Sequence, residues 1–224
     1  MQRDLLLVNE IFQTLQGEAG FTGTPSVFVR LQGCPVGCAW CDTRHTWHAD
    51  PANIIPINRM LGKDKDTGEY AEMSADAVIG SVTSFDARHV VITGGEPCLY
   101  DLVPLSAALV DRGYSVQVET SGTAEISVHP DAWVTVSPKL NMPGGLAVRE
   151  DALRRANEIK MPIGKPDDIE LLEERVVPFV DRSKVDIWLQ PLSQSRSATA
   201  LCVETAGKRQ FRVSIQTHKY IGIR

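Results

Sequence analysis

Three cysteines, Cys34, Cys38 and Cys41, fall within eight residues in Gly-Cys-Pro-Val-Gly-Cys-Ala-Trp-Cys, and no adjacent fourth cysteine or histidine ligand completes the set. A structural zinc or an electron-transfer iron–sulfur cluster takes four ligands from the protein. Three thiolates on one tight loop therefore point to a metal centre with one position left for a substrate or cofactor. The fold has to hold that loop and build the rest of a site around it.

Composition excludes several other classes. The chain of 224 residues is long enough to bury one sizeable core, and no linker, repeat or charge block divides it, so a single domain over 1–224 is expected. The longest apolar run is too short to span a bilayer, and the only apolar stretch near the N-terminus, 5–8, lacks the length and cleavage site of a signal peptide. Five cysteines, an odd number with three clustered, fit metal ligation in a reducing compartment better than a disulfide framework, which places the chain in the cytoplasm. A net charge of −5 leaves no basic footprint for nucleic acid, so the expected ligand is small.

Apolar runs bounded by turn residues predict strands over 26–33, 89–95, 114–122, 133–139, 158–163, 185–192 and 210–219. Helices fill the gaps: Asp101 opens a periodic run that stops at Gly113, and Ser74, Glu150, Asp168 and Ser197 open similar segments. Such alternation predicts an α/β fold with a parallel sheet and crossover helices, either doubly wound or an incomplete barrel. The carboxyl ends of these strands carry Cys34, Thr93 to Glu96, Glu119 to Ser121, Ser137 and Lys139, Gln190, and Gln216 to His218. In parallel α/β folds those ends form the mouth of the site.

The Cx3Cx2C spacing suits three irons of a 4Fe-4S cubane whose fourth iron is open to a chelating amino acid. The alternative on residues alone is a zinc site with a distant fourth ligand such as Cys98, Cys202 or His45. Gly94-Gly95-Glu96-Pro97 after the apolar Val90-Val91-Ile92 is a turn in which glycines let backbone approach a ligand and Glu96 offers an acceptor for an ammonium group.

Together these residues resemble the radical S-adenosylmethionine enzymes, in which such a triplet holds the cluster and a GGEP motif holds the methionyl amino group. A narrower resemblance comes from Asn9-Glu10-Ile11-Phe12-Gln13-Thr14-Leu15-Gln16-Gly17-Glu18, Val27-Phe28-Val29-Arg30-Leu31-Gln32-Gly33-Cys34, Glu119-Thr120-Ser121-Gly122, Val136-Ser137-Pro138-Lys139 and Gln216-Thr217-His218-Lys219. These are similar to the 7-carboxy-7-deazaguanine synthases of the queuosine pathway of tRNA modification, over nearly the whole chain. The segment 49–71 is polar and irregular and is the expected variable part.

The resemblance implies an incomplete, partial TIM-like β/α barrel of the radical SAM type and a carbon–nitrogen lyase. Its reaction would turn 6-carboxy-5,6,7,8-tetrahydropterin into 7-carboxy-7-deazaguanine and ammonia, by 5′-deoxyadenosyl-radical hydrogen abstraction at C6 and ring contraction. Cys34, Cys38 and Cys41 would ligate the cluster. Ala39, Trp40, Gly95, Glu96, Ser137, Pro138, Lys139, Gln190, Pro191, Leu192 and Ser193 would contact S-adenosylmethionine. Leu15, Gln16, Gly17, Arg30, Thr93, Glu119, His218 and the terminal carboxylate of Arg224 would contact the pterin, and Thr43 would bind Mg²⁺. Arg30 suits a carboxylate through bidentate pairing, and Glu119 suits an aminopyrimidinone edge with adjacent N–H donors. A homodimer and a flavodoxin or ferredoxin reductant are also implied, with no membrane or direct nucleic-acid partner.

Cys98 and Cys202 are expected to be small buried hydrophobes. Trp47, Trp133 and Trp188 are expected to pack away from substrate, and His45, His48, His89 and His129 show no partner at metal-ligand spacing. Two rival functions remain at this level: a glycyl-radical-activating radical enzyme with a protein partner, and a non-catalytic zinc-binding module.

Overall fold

The computed structural model describes residues 5–223. Among the described residues nine strands form one sheet in the order β3-β1-β2-β4-β5-β6-β7-β8-β9. The strands are β1 Leu6–Leu15, β2 Pro25–Leu31, β3 Ala71–Met73, β4 His89–Gly94, β5 Ser115–Thr120, β6 Trp133–Val136, β7 Glu158–Ile163, β8 Asp186–Pro191 and β9 Arg212–Val213. From β2 onward through β4 to β9 every pairing is parallel, whereas β1 runs antiparallel to both β2 and β3. Over the described residues the sheet does not close, and this is the incomplete barrel that the resemblance implies, one of the two arrangements left open by the alternation of elements.

Among the described residues seven α-helices accompany the strands: α1 Ile57–Leu61, α2 Ala75–Val82, α3 Val103–Asp111, α4 Glu150–Arg155, α5 Pro166–Arg175, α6 Arg196–Arg209 and α7 Thr217–Ile221. Their starts follow local capping chemistry. Ser74 accepts from Ala77 N at 3.2 Å at the head of α2, and Asp101 accepts from Val103 N at 3.1 Å before α3. Two starts shift. The cap of α6 is Ser195, not Ser197, and α5 opens at Pro166, with Asp168 at its third position accepting from Gly164 N and Lys165 N.

Alternation along the central strands sorts the side chains. Val90, Ile92, Val116 and Val118 pack with Val78, Val82, Leu105 and Leu109 of α2 and α3. Val134, Val136, Ile159, Met161, Ile163 and Leu189 pack with Leu153, Leu172 and Cys202 of the later helices. The opposite face is polar: His89 Nε2 meets Gln117 Oε1 at 3.0 Å, Gln117 Nε2 donates to Thr135 Oγ1 at 2.8 Å, and Thr135 Oγ1 donates to Glu158 Oε1 at 2.7 Å. Phe21 stacks on His89 at 4.3 Å and meets Trp133 edge-on at 5.3 Å, which places an aromatic plug beside this buried polar row.

Four segments differ from the sequence expectation, among them the short edge strand β3, which no predicted strand covers. β1 is ten residues long, yet only 5–8 reads as apolar, because buried Asn9 and Glu10 interrupt its pattern. Asn9 Nδ2 donates to Gln32 Oε1, Thr67 O and Glu69 O at 2.8, 2.9 and 3.1 Å, and the register slips between Val8 and Glu10. Of the predicted strand 210–219 only Arg212–Val213 pairs with the sheet. The chain then turns into α7, because Thr217 N and Oγ1 both donate to Gly17 O, at 2.9 and 3.1 Å. Within 49–71 lie a 3-10 turn at Pro51–Asn53 and α1, so this segment is more ordered than its polar composition predicts.

Candidate active site

The cysteine loop leaves β2 at Leu31 and is tied down on both sides. Gln32, fully buried, donates to His45 O and His48 O at 3.1 and 2.8 Å. Gly33 N and Cys34 N donate to Thr46 O and Trp47 O at 2.7 and 3.0 Å, closing the loop into a ring of backbone bonds. Cys41 Sγ accepts from Trp47 Nε1 at 3.3 Å and from Thr43 N at 3.4 Å, and lies 3.7 Å from Thr43 Oγ1. All three thiols are free and line one cavity. Burial raises the Cys34 and Cys38 thiols above their ordinary range, aided by the neighbouring cysteines. A metal centre supplies the positive charge that would hold them as thiolates.

Sulfur spacing tests the two metal readings. A tetrahedral zinc with bonds near 2.3 Å would bring its sulfurs to about 3.8 Å from one another. Among the described residues, the one set of three or more metal-type ligands whose donor atoms all lie within 4.8 Å is Glu10, His45 and Asp66, so at least one pair of the three cysteine sulfurs is more than 4.8 Å apart. That separation, with three sulfurs and no further thiol or imidazole lining the cavity, fits a cubane with one open corner.

Gly94 and Gly95 are dictated by a close approach of main chains. A Cβ on Gly94 would strike the Leu31 backbone and one on Gly95 would strike the carbonyl of Gly33, while Gly95 N and Glu96 N donate to Leu31 O and Gly33 O, both at 2.8 Å. Gly94 also has φ +128°, a region open to glycine. The turn is thus clamped to the start of the cysteine loop. Glu96 differs from its expected role: it is 1% exposed, and its carboxylate accepts from Cys98 N, Thr120 Oγ1, Ser121 N and Ser121 Oγ. The carboxylate organises the end of β5, and the backbone of Gly94 and Gly95 faces the cavity.

Two cavities of about 200 and 190 Å³ adjoin at the mouth. The first carries the cysteines together with Trp40, Gly95, Ser137, Lys139 and Gln190. Lys139 Nζ donates to Ser137 Oγ at 2.5 Å and sits 5.1 Å from the Trp40 ring centroid; burial lowers its pKa. The second is lined by Leu15, Gln16, Gly17, Arg30 and His218 with Phe12 and Phe28. Glu18, Asp42, Thr43, Thr93 and Glu119 line both.

Charge in this junction is paired. Arg30 Nε lies 2.5 Å from Glu10 Oε1, which fixes the guanidinium at the end of the second cavity. Lys160 Nζ bridges Glu18 Oε2 at 2.5 Å and Glu119 Oε2 at 2.9 Å. Burial pushes Glu18 upward, but the charge and hydrogen bond of Lys160 outweigh it and bring the carboxyl down to about 2. Burial opposes the Lys160 charge, and the two carboxylates overcome that and raise it. Gln216 Nε2 donates to Glu18 Oε1 at 2.7 Å, Lys219 pairs with Asp42 at 2.9 Å, and a Cβ on Gly17 would collide with His218. The C-terminal turn is therefore seated on the mouth.

Other expected contacts lie apart from these cavities. Ala39 is exposed, Pro138 is buried, Leu192 is half-buried, and Ser193 is exposed with φ +53°; Pro191 lines a separate small pocket. Arg224 lies outside the described residues. Trp47 lines the cysteine cavity instead of packing elsewhere. His45, expected to lack metal-type neighbours, meets Glu10 and Asp66; Arg30 already pairs with that Glu10 carboxylate. Cys98 and Cys202 are buried, and burial pushes both thiols up to about 12. The residues missed from sequence include Phe12, Glu18, Phe28, Asp42 and Lys160. Lys160 had a signal, a lysine alternating with the apolar Ile159, Met161 and Ile163 of a short strand.

The open barrel, the three-thiol loop and the glycine turn clamped to it define a radical S-adenosylmethionine enzyme, and residues 28–134 match the family profile described as Radical SAM superfamily. The 7-carboxy-7-deazaguanine synthase of Escherichia coli K12 is 53% identical over 96% of this chain and 98% of that protein. That of Buchnera aphidicola is 40% identical over 97% and 98% respectively. The crystal structure of QueE from Escherichia coli superposes with a TM-score of 0.91 at 49% identity, covering 95% of this chain and 94% of that one. This chain belongs to the 7-carboxy-7-deazaguanine synthase family.

Proposed function

We infer that this chain converts 6-carboxy-5,6,7,8-tetrahydropterin to 7-carboxy-7-deazaguanine with loss of ammonia, a step toward queuosine. The observation that carries this reading is the junction itself: a cavity holding three open thiols shares Glu18, Thr43, Thr93 and Glu119 with a second cavity ending in Arg30. Cys34, Cys38 and Cys41 would hold a 4Fe-4S cluster, and Trp40, Gly95, Ser137, Lys139 and Gln190 would border S-adenosylmethionine. When bound, these two supply a 5′-deoxyadenosyl radical that takes hydrogen from C6. Thr43, which lines both cavities, would offer Mg²⁺ a hard hydroxyl oxygen.

The chain's own groups then bind and orient the pterin. Arg30, held by Glu10 through Nε, presents its remaining N–H donors to the substrate carboxylate. His218 lies on the same cavity, close enough to Gly17 to narrow it. Gln16 Nε2 donates to Glu119 Oε1 at 3.0 Å and to Gln117 Oε1 at 3.1 Å, so Glu119 is oriented before the ring arrives. Leu15, Gly17, Phe12 and Phe28 give the cavity an apolar wall for the ring faces.

The same reading takes 1–224 as one catalytic domain, supported by its single sheet, working in the cytoplasm as a homodimer reduced by a flavodoxin or ferredoxin. Among the described residues no helix is long and apolar enough to cross a membrane. The test is anaerobic incubation of the reconstituted protein with dithionite, S-adenosylmethionine, Mg²⁺ and the carboxypterin. Product of the deazapurine mass and an equivalent of ammonia are expected, and unchanged carboxypterin alongside active reductant would refute the assignment.

A further inference from the structure

β7 sends Ile159, Met161 and Ile163 into the helix layer and turns Glu158, Lys160 and Pro162 toward the barrel interior. Lys160 is 4% exposed, and its ammonium is committed to two carboxylates, Glu18 and Glu119. Burying an ammonium is costly, and a pair kept only for the fold can be exchanged for apolar side chains. This pair sits at the junction of the two cavities. Lys160 lines the cysteine cavity, and both of its partners line each cavity.

Glu119 is held from two sides, with Gln16 on Oε1 at 3.0 Å and Lys160 on Oε2 at 2.9 Å. Each carboxylate oxygen keeps a second acceptor position. A carboxylate fixed as an acceptor-only group fits a ring edge that presents two adjacent N–H groups, and it repels a carbonyl at the same place.

We propose that Lys160 is a positioning residue for substrate recognition. It holds Glu119 as an oriented acceptor, with Gln16 on one oxygen and its own ammonium on the other, and so sets the preference for a 2-amino-4-oxo ring over one carrying a carbonyl at the 2-position. This rests on the pterin reading above. Lys160 acts through Glu119, while its bond to Glu18 links that acceptor to Gln216 of the C-terminal turn.

The experiment is a double-mutant cycle between Lys160→Met and Glu119→Gln, with KM and kcat for the carboxypterin, turnover of its 2-oxo analogue, and iron per chain measured for each variant. K160M should raise KM at least tenfold with kcat within threefold and iron unchanged, and should narrow the discrimination against the 2-oxo analogue. K160R should restore most of the loss. In the E119Q background, K160M should change KM less than threefold. Effects that simply multiply, or a K160M enzyme with wild-type KM and discrimination, would overturn the proposal. If K160M does not accumulate because two carboxylates are left facing each other, E18Q/K160M against E18Q should show the same tenfold rise, and its absence likewise overturns the proposal. Wild-type protein that leaves the carboxypterin unchanged would instead bring down the underlying assignment.

Discussion

Replacing Gly95 by Ala tests whether the glycine turn is a clamp between the cysteine loop and β4. The added methyl would meet the carbonyl of Gly33, a main-chain atom with no rotamer to yield, so the two segments must separate. Overpacking of this kind costs about 1–3 kcal/mol. Two backbone hydrogen bonds, Gly95 N to Leu31 O and Glu96 N to Gly33 O, stretch with it, at about 1 kcal/mol each. The total of about 3–5 kcal/mol is a large share of the roughly 5–15 kcal/mol that stabilises an ordinary domain. At about 2–4 °C per kcal/mol for a chain this long, Tm should fall by roughly 6–20 °C. Thermal unfolding followed by far-ultraviolet dichroism under argon gives the shift, and iron per chain gives the effect on the loop. G95A with Tm within 2 °C of wild type (roughly the shift of 1 kcal/mol) and full iron would refute the clamp. Gly80→Ala is the control of opposite sign: nothing lies within 4 Å of its Cβ position in α2, so it should raise stability by about 0.5–1 kcal/mol.

Other perturbations separate the roles assigned to individual residues. Cys34→Ala, Cys38→Ala or Cys41→Ala should each abolish S-adenosylmethionine cleavage, measured as 5′-deoxyadenosine by chromatography, and full activity in any one contradicts the ligand set. Thr43→Ala should shift the Mg²⁺ titration of turnover to higher concentration with iron content intact; bleaching of the cluster would place Thr43 with the cysteines instead. Arg30→Lys should raise KM for the carboxypterin by roughly 10- to 150-fold, the worth of a charge-assisted hydrogen bond. Glu18 is ordinarily near 4.5 and is held at about 2 in the fold. Its contribution to stability is therefore complete above pH 4.5 and is lost as pH falls from 4.5 through 2. Urea midpoints across that window should decline less steeply for Glu18→Gln than for wild type.

The sequence discloses the parallel part of the barrel more fully than its edges. Strands β2, β4, β5, β6, β7 and β8 are bounded by turn residues and carry short apolar runs, Val-rich in β2, β4, β5 and β6, so they stand out. β1 is hidden because Asn9 and Glu10 are buried in it, satisfied by partners far along the chain such as Gln32, Thr67 and Arg30. Only tertiary pairing makes those positions interior. The C-terminal segment reads as one strand because its alternation is genuine through Val213. Its departure into α7 depends on a carbonyl, that of Gly17, almost the whole chain away.

The cysteine loop is legible from its spacing alone, since three ligands within one turn need no knowledge of the fold. Glu96 shows the limit of motif reading: the same carboxylate that looks like a ligand acceptor in Gly-Gly-Glu-Pro spends its oxygens on Cys98, Thr120 and Ser121. Glu18 and Lys160 are ordinary charges in the sequence, 142 positions apart. They become part of one site only because β7 and the turn after β1 face the same interior.

Mössbauer spectroscopy of the ⁵⁷Fe-reconstituted protein, with and without S-adenosylmethionine, bears most directly on the open coordination position. One iron in four should change its parameters when the cofactor is added, while the three held by Cys34, Cys38 and Cys41 stay as they were. Four equivalent irons that ignore the cofactor would show a closed centre, and the radical chemistry assigned to this chain would have no place to begin.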